Sequence, residues 1–180
     1  MLIQFDGFEI NPIHQGDAWK ICDFVISNAD RLKRFFPKTL EQNLNPTLSK
    51  IYVEKRTKAF QNKEGFVFTL KHSKTRKLVG LIIIKEINWT IKQGEFAYAI
   101  DYNFTGKGLT SKAVKHLSAY AFEALGLERL KIVVHKDNLP SVKVALNNNF
   151  KWQKTFKNAF TPQGELPLDM ELYELYKETK

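Results

Sequence analysis

Cys22 is the only cysteine, so an internal disulfide cannot form and a thiolate metal cluster has no ligands. A lone thiol fits a reducing compartment, and a cytoplasmic protein is expected. Long apolar runs are also missing. The longest, residues 78–84, falls far short of the ~20 residues that span a bilayer, so no membrane association is expected. The opening Met-Leu-Ile-Gln-Phe-Asp lacks the basic-then-apolar order of a secretion signal. The histidines at positions 14, 72, 116 and 135 form no His-x-x-x-His or His-Glu-x-x-His pair, so no metal is expected. Basic residues never run beyond a few in a row, and Trp19, Trp89 and Trp152 are dispersed. That pattern is unlike a dedicated nucleic-acid module, leaving nucleic-acid contact incidental. No repeat, low-complexity tract or linker interrupts the chain, which reads as a single domain over 1–180.

What the chain does have is apolar bulk and positive charge. Apolar residues make up 43% of it, with 14 Phe, enough for a packed core. Its 28 Lys and Arg against 19 Asp and Glu leave a net charge of +9, which attracts phosphates and acidic partners.

Ala18, Ile21, Cys22 and Val25 repeat at helical spacing over 17–27, with Asp17 as the expected N-cap. Residues 28–43 carry no clear period. Asn45-Pro46 opens a helix expected to reach residue 62. Strands are expected over 66–71 and 78–87, joined by a polar turn, then over 95–101. A helix over 108–125 should stop at Gly126, and a buried strand follows over 130–135. Asn138 caps a short helix over 139–147, which Asn148 and Asn149 can end in left-handed conformation. Strands over 151–160 and 168–176 finish the chain, with a turn at 162–164. Interleaved helices and strands of this order predict an α/β fold around a mixed sheet.

Residues 102–114 read Tyr-Asn-Phe-Thr-Gly-Lys-Gly-Leu-Thr-Ser-Lys-Ala-Val, a glycine turn between a strand and an amphipathic helix. Backbone N–H groups at such a helix start favour a phosphate, and Lys107 adds a cation. Ser111 breaks the dinucleotide fingerprint, and the phosphate-loop Gly-Lys-Ser/Thr spacing is absent.

Taken with Ala121-Phe122, Leu125-Gly126-Leu127, Asn138-x-x-Ser141 and Phe150, this segment resembles the acyl-CoA-binding core of the GNAT N-acetyltransferase superfamily. Gly164 and Asp169 add a likeness to its RimJ/RimL-type branch, which acetylates α-amino groups of ribosomal proteins. Asn103, Thr105, Ser111 and Asn149 depart from the superfamily pattern. The resemblance implies a mostly antiparallel central sheet, splayed between two parallel strands and flanked by helices. It implies acetyl-CoA as cosubstrate, with the diphosphate held by the backbone of Gly106, Lys107, Gly108, Leu109 and Thr110. Ile100 and Tyr102 would bond the pantetheine arm through their main chain, and Asn138 would touch one of its amides. Glu95 is the expected acceptor of the amine proton, through water. Many relatives place a thiolate-protonating tyrosine where this chain has Ala145; the RimL-like branch implies Ser141 in that role. Arg31, Arg34 and Phe35 are the candidate acceptor-binding residues. Their positive rim suits an acidic protein N-terminus or ribosomal protein and disfavours polyamines and aminoglycosides. A small-amine acetyltransferase and a non-catalytic CoA-binding module stay open as alternatives, as do monomer and homodimer.

Overall fold

The computed structural model describes residues 3–178. The chain opens with a hairpin that periodicity did not single out: β1 (Ile3–Phe5) and β2 (Phe8–Pro12) pair antiparallel, with Phe5 opposite Phe8. Asp6 and Gly7 make the turn at φ 47° and 79°. Asp-Gly favours this left-handed pair because its twist matches that of the strands.

A short 3-10 turn, Gln15–Asp17, leads into α1 (Ala18–Ser27). Asp17 does not cap α1 with its side chain. His14 caps the 3-10 turn instead: its Nδ1 accepts from Gly16 N–H at 3.1 Å, and its own N–H donates to Asp17 Oδ2 at 3.1 Å. Asp17 is thereby turned inward, where Lys71 Nζ approaches Oδ1 at 2.5 Å with both side chains fully buried. The segment without clear period holds two short helices, α2 (Ala29–Phe35) and α3 (Pro37–Glu41). α4 (Pro46–Gln61) starts as expected, with Asn45 Oδ1 accepting from Leu48 N–H at 3.0 Å.

The remaining elements follow the expected order. They are β3 (Phe66–His72), β4 (Leu78–Asn88), β5 (Gln93–Ile100), α5 (Leu109–Glu123), β6 (Arg129–Val134), α6 (Leu139–Asn147), β7 (Lys151–Phe160) and β8 (Leu168–Tyr176). Gly126, at φ 73°, ends the α5 region, and Leu127 N–H reaches back to Ala121 C=O at 3.0 Å. Only the second of the two asparagines after α6 is left-handed: Asn149 has φ 61°, Asn148 φ −109°.

The strands form one eight-stranded sheet in the order β1-β2-β3-β4-β5-β6-β8-β7. It is mostly antiparallel, with β5 and β6 parallel in register from Gln93↔Arg129 to Phe96↔Ile132. This is the α/β architecture expected from the sequence. By its internal contacts the chain comprises two compact units. The first reaches Ile83 and takes in Tyr98–Lys107; the second is Ile84–Ala97 with the chain from Gly108 onward. In the first, Ile13, Ile21, Phe24, Val25, Leu32 and Tyr52 pack on Val67, Leu78 and Leu81. Cys22 is buried, as its helix face predicts. In the second, Phe96 meets Phe150 edge-on at 6.3 Å, among Leu117, Leu127, Leu130 and Ile132, all buried.

Candidate active site

The first unit builds the exit of β5. Past Ile100, Asp101 N–H donates to Val79 C=O at 2.8 Å, so the strand is held for one more residue. Buried Asp101 then caps a 3-10 turn, Tyr102–Phe104, by accepting from Asn103 N–H at 2.8 Å and Nδ2 at 3.1 Å. Thr105 Oγ1 closes the turn onto Tyr102 C=O at 2.8 Å. Asn103 and Thr105, two of the departures from the superfamily pattern, thus brace the turn from within. Lys77 pairs with Asp101 Oδ2 at 3.1 Å. Burial raises the Asp101 pKa, but the Asn103 hydrogen bonds and Lys77 outweigh it and hold the carboxyl below its ordinary value. The Phe104 ring is edge-on to Phe8 and carries two ammonium groups, Lys107 at 4.9 Å and Lys77 at 5.6 Å from its centroid.

Two side chains from the α1–α2 junction hold this exit. Asn28 Oδ1 accepts from Tyr102 N–H at 3.0 Å, and Arg31 Nη1 donates to Ile100 C=O at 3.0 Å. Arg31 also lies over the Tyr102 ring, 5.8 Å from its centroid. The structure therefore brings three expected site residues, Ile100, Tyr102 and Arg31, into direct contact. Arg34 stacks on the neighbouring Phe35 ring at 5.1 Å, and Phe36 packs into the core.

The glycine turn has the backbone that its sequence demands. Gly106 and Gly108 have φ of 73° and 70°, and a Cβ on either would meet nothing within 4 Å. Exposed left-handed glycines leave the main chain bare to an incoming group. In the second unit α5 follows without a side-chain cap at Gly108, so no side chain of the N-cap residue competes for its first N–H groups. Leu109 is buried and Thr110 half-buried, anchoring the helix start. An uncapped, positive helix end of this kind fits a diphosphate such as that of a CoA thioester. Ser111 Oγ accepts from Asn147 Nδ2 at 3.3 Å, a bond between α5 and α6.

Asn138 and Ser141 meet as expected at the start of α6. Ser141 N–H is shared between the Asn138 carbonyl at 3.0 Å and Oδ1 at 3.4 Å. Glu95, half-buried on β5, pairs through Oε1 with Lys85 Nζ at 2.9 Å and stands opposite Lys131 in the parallel register. Burial, then the Arg129 charge, lowers the Lys131 pKa. Among the described residues, no cluster of three His, Cys, Asp or Glu side chains could hold a metal, and no helix is long and apolar enough to cross a membrane.

Sequence reasoning passed over Asn28, Lys77 and Asp101. Asp101 had a local signal, an Asp two residues before Asn103 at a strand end. Asn28 and Lys77 had none, because the groups they hold at the exit, Tyr102 and Asp101, lie far away along the chain.

Residues 8–151 match the profile of the acetyltransferase (GNAT) domain. The chain belongs to the GNAT acetyltransferase family. It is an acetyl-CoA-dependent N-acetyltransferase. The uncharacterized N-acetyltransferase YoaA of Bacillus subtilis (strain 168) is 23% identical over 176 residues, 98% of this acetyltransferase and 97% of that protein. The spermidine N(1)-acetyltransferase of Escherichia coli (strain K12) is 29% identical over 86 residues, 48% of this chain and 46% of that one. In fold this acetyltransferase is similar to the ribosomal-protein-S5-alanine acetyltransferase of Vibrio fischeri. The TM-score is 0.93 at 21% identity, over 99% of this chain and 97% of that one.

Proposed function

We propose that this acetyltransferase, working as one catalytic domain in the cytoplasm, acetylates the α-amino group of a protein N-terminus, a ribosomal protein foremost. The acceptor is read from charge. α2 exposes Arg31 and Arg34, with Lys33 paired to Asp30 at 2.9 Å, on a chain of net charge +9. Such a surface repels a polycation and attracts an acidic peptide. The fold shared with the S5-alanine enzyme points the same way.

In the ternary complex the neutral amine attacks the thioester carbonyl carbon, the C–N bond forms and the C–S bond breaks. The main chain of Gly106 to Thr110 grips the diphosphate, while Ile100 and Asn138 hold the pantetheine arm; Tyr102, expected to bond the arm as well, gives its N–H to Asn28 and its carbonyl to Thr105, and shapes the strand exit instead. The proton lost by the amine passes through water to Glu95, which Lys85 keeps oriented at 2.9 Å. Ser141 donates a hydrogen bond to the departing thiolate, which takes up the proton that Glu95 received and returns through water, so that one proton passes from nitrogen to sulfur and both side chains end as they began. Arg34 and Phe35, stacked on each other, line the acceptor side with Arg31.

A second reading, acetylation of a small amine, is favoured by the partial similarity to the spermidine enzyme. Labelled acetyl-CoA offered with acidic N-terminal peptides, spermidine and a ribosome-rich extract separates the two. Label on a protein N-terminus is expected, and preferred turnover of spermidine overturns the proposal. Ser141→Ala is expected to lower kcat at saturating substrate by about tenfold or more. Turnover within about twofold of wild type removes Ser141 from the sulfur.

A further inference from the structure

We infer that Asn28 and Arg31 are positioning residues for the acyl donor, a two-point clamp that fixes the β5 exit from outside the sheet. The inference rests on the reading that the segment from Ile100 to Thr110 carries acetyl-CoA.

Asn28 lies between α1 and α2 and is 5% exposed. Its Nδ2 donates to Phe24 C=O at 2.8 Å, which sets the amide's orientation. With the nitrogen committed there, Oδ1 faces Tyr102 N–H at 3.0 Å. Arg31 holds Ile100 C=O at 3.0 Å and covers the Tyr102 ring. Tyr102 itself is 70% exposed, and Thr105 holds its carbonyl only from within the turn, so Asn28 and Arg31 are what tie this exit to the α1–α2 junction. The segment has left the sheet ladder here, and the glycine turn begins only four residues further on. A free exit must be ordered each time donor binds, which weakens binding; a clamped one is already in place. Arg31 thereby serves the donor strand from the helix read as the acceptor's rim.

The clamp acts before chemistry, so its loss shows in donor affinity and in KM for acetyl-CoA, with kcat at saturation changed far less. Losing one such hydrogen bond corresponds to about a three- to tenfold weaker donor. The experiment is calorimetric titration of free CoA into the full chain for wild type, Asn28→Ala, Asn28→Asp and Arg31→Ala. Steady-state kinetics and hydrogen exchange at the Tyr102 amide accompany it. Asn28→Asp keeps the oxygen for Tyr102 N–H but loses the bond to Phe24 C=O. A purely structural asparagine would therefore be damaged by both substitutions.

The clamp predicts that Asn28→Ala weakens CoA and speeds Tyr102 exchange, whereas Asn28→Asp restores CoA affinity to within about twofold. Arg31→Ala, an exposed change away from the core, gives the same direction should Asn28→Ala fail to fold. Wild type that binds CoA, with unchanged affinity in whichever of Asn28→Ala and Arg31→Ala fold, overturns the clamp alone. So does loss of affinity in Asn28→Ala that Asn28→Asp does not restore. Wild type that binds no CoA overturns the donor reading, and the clamp with it.

Discussion

Lys71 and Asp17 place opposite charges where neither touches water, and His14 N–H takes the remaining carboxylate oxygen. Removing one member strands the other in a medium that solvates it poorly. Lys71→Met is expected to lower the unfolding free energy by about 3 kcal/mol, read by urea denaturation. Adding Asp17→Asn to it should recover much of that loss, because no unpaired charge then remains buried. The lysine stands in a strand buried at nearly every position, so its oddity was visible in the sequence. Its partner was not: residues 17 and 71 meet only after α1 and β3 have packed. Asp101 offers a pH test with a definite sign. Its folded pKa lies below the unfolded value, so its contribution is present above the ordinary carboxylate range. That contribution is lost as pH falls through the lowered folded pKa. Unfolding free energy should therefore drop more between about pH 6 and about pH 3 in wild type than in Asp101→Asn.

Elements were legible where a local signal was strong. Asn45-Pro46, Asn138 and Gly126 marked helix ends because capping needs only neighbours in sequence. α2 and α3 are too short for a helical period to show, at seven and five residues. The β1–β2 hairpin lay within reach, since Asp6-Gly7 between Phe5 and Phe8 is a turn signature. Apolar alternation over three residues was too brief to draw attention to it. The glycine turn allows a prediction at this scale. Gly106 sits at φ 73° with open space before its Cβ position. Gly106→Ala should fold, lose about 1 kcal/mol to left-handed strain, and bind CoA about tenfold more weakly. The excess over the stability loss arises because the methyl group stands in front of the phosphate donors. Equal CoA affinity by calorimetry would place the diphosphate elsewhere.

For the molecule as a whole, charge is the property that acts at a distance. A net charge of +9 draws in an anionic thioester before any contact forms. Salt screens that attraction while leaving short contacts largely intact. KM for acetyl-CoA is expected to rise several-fold between about 0.05 M and about 0.5 M NaCl, with kcat nearly constant. A flat profile would confine the electrostatics to Lys107 and the helix end. The same charge protects the sheet's edge: β7 is largely exposed and carries Lys151 and Lys154, which disfavour a second strand adding there.

Alone, the sequence determined the order of most elements, the glycine turn with its left-handed backbone, the cap at Asn138 and the family. Each depends on residues close along the chain, where spacing and side-chain type act directly on local backbone geometry. Tertiary structure decided which distant groups meet. It turned Asp17 from a cap into a buried partner of Lys71, gave the β5 exit its clamp from Asn28 and Arg31, and set Lys77 beside Asp101. Those contacts join residues 24 to 74 positions apart, and no periodic pattern encodes them because packing alone selects the pairs.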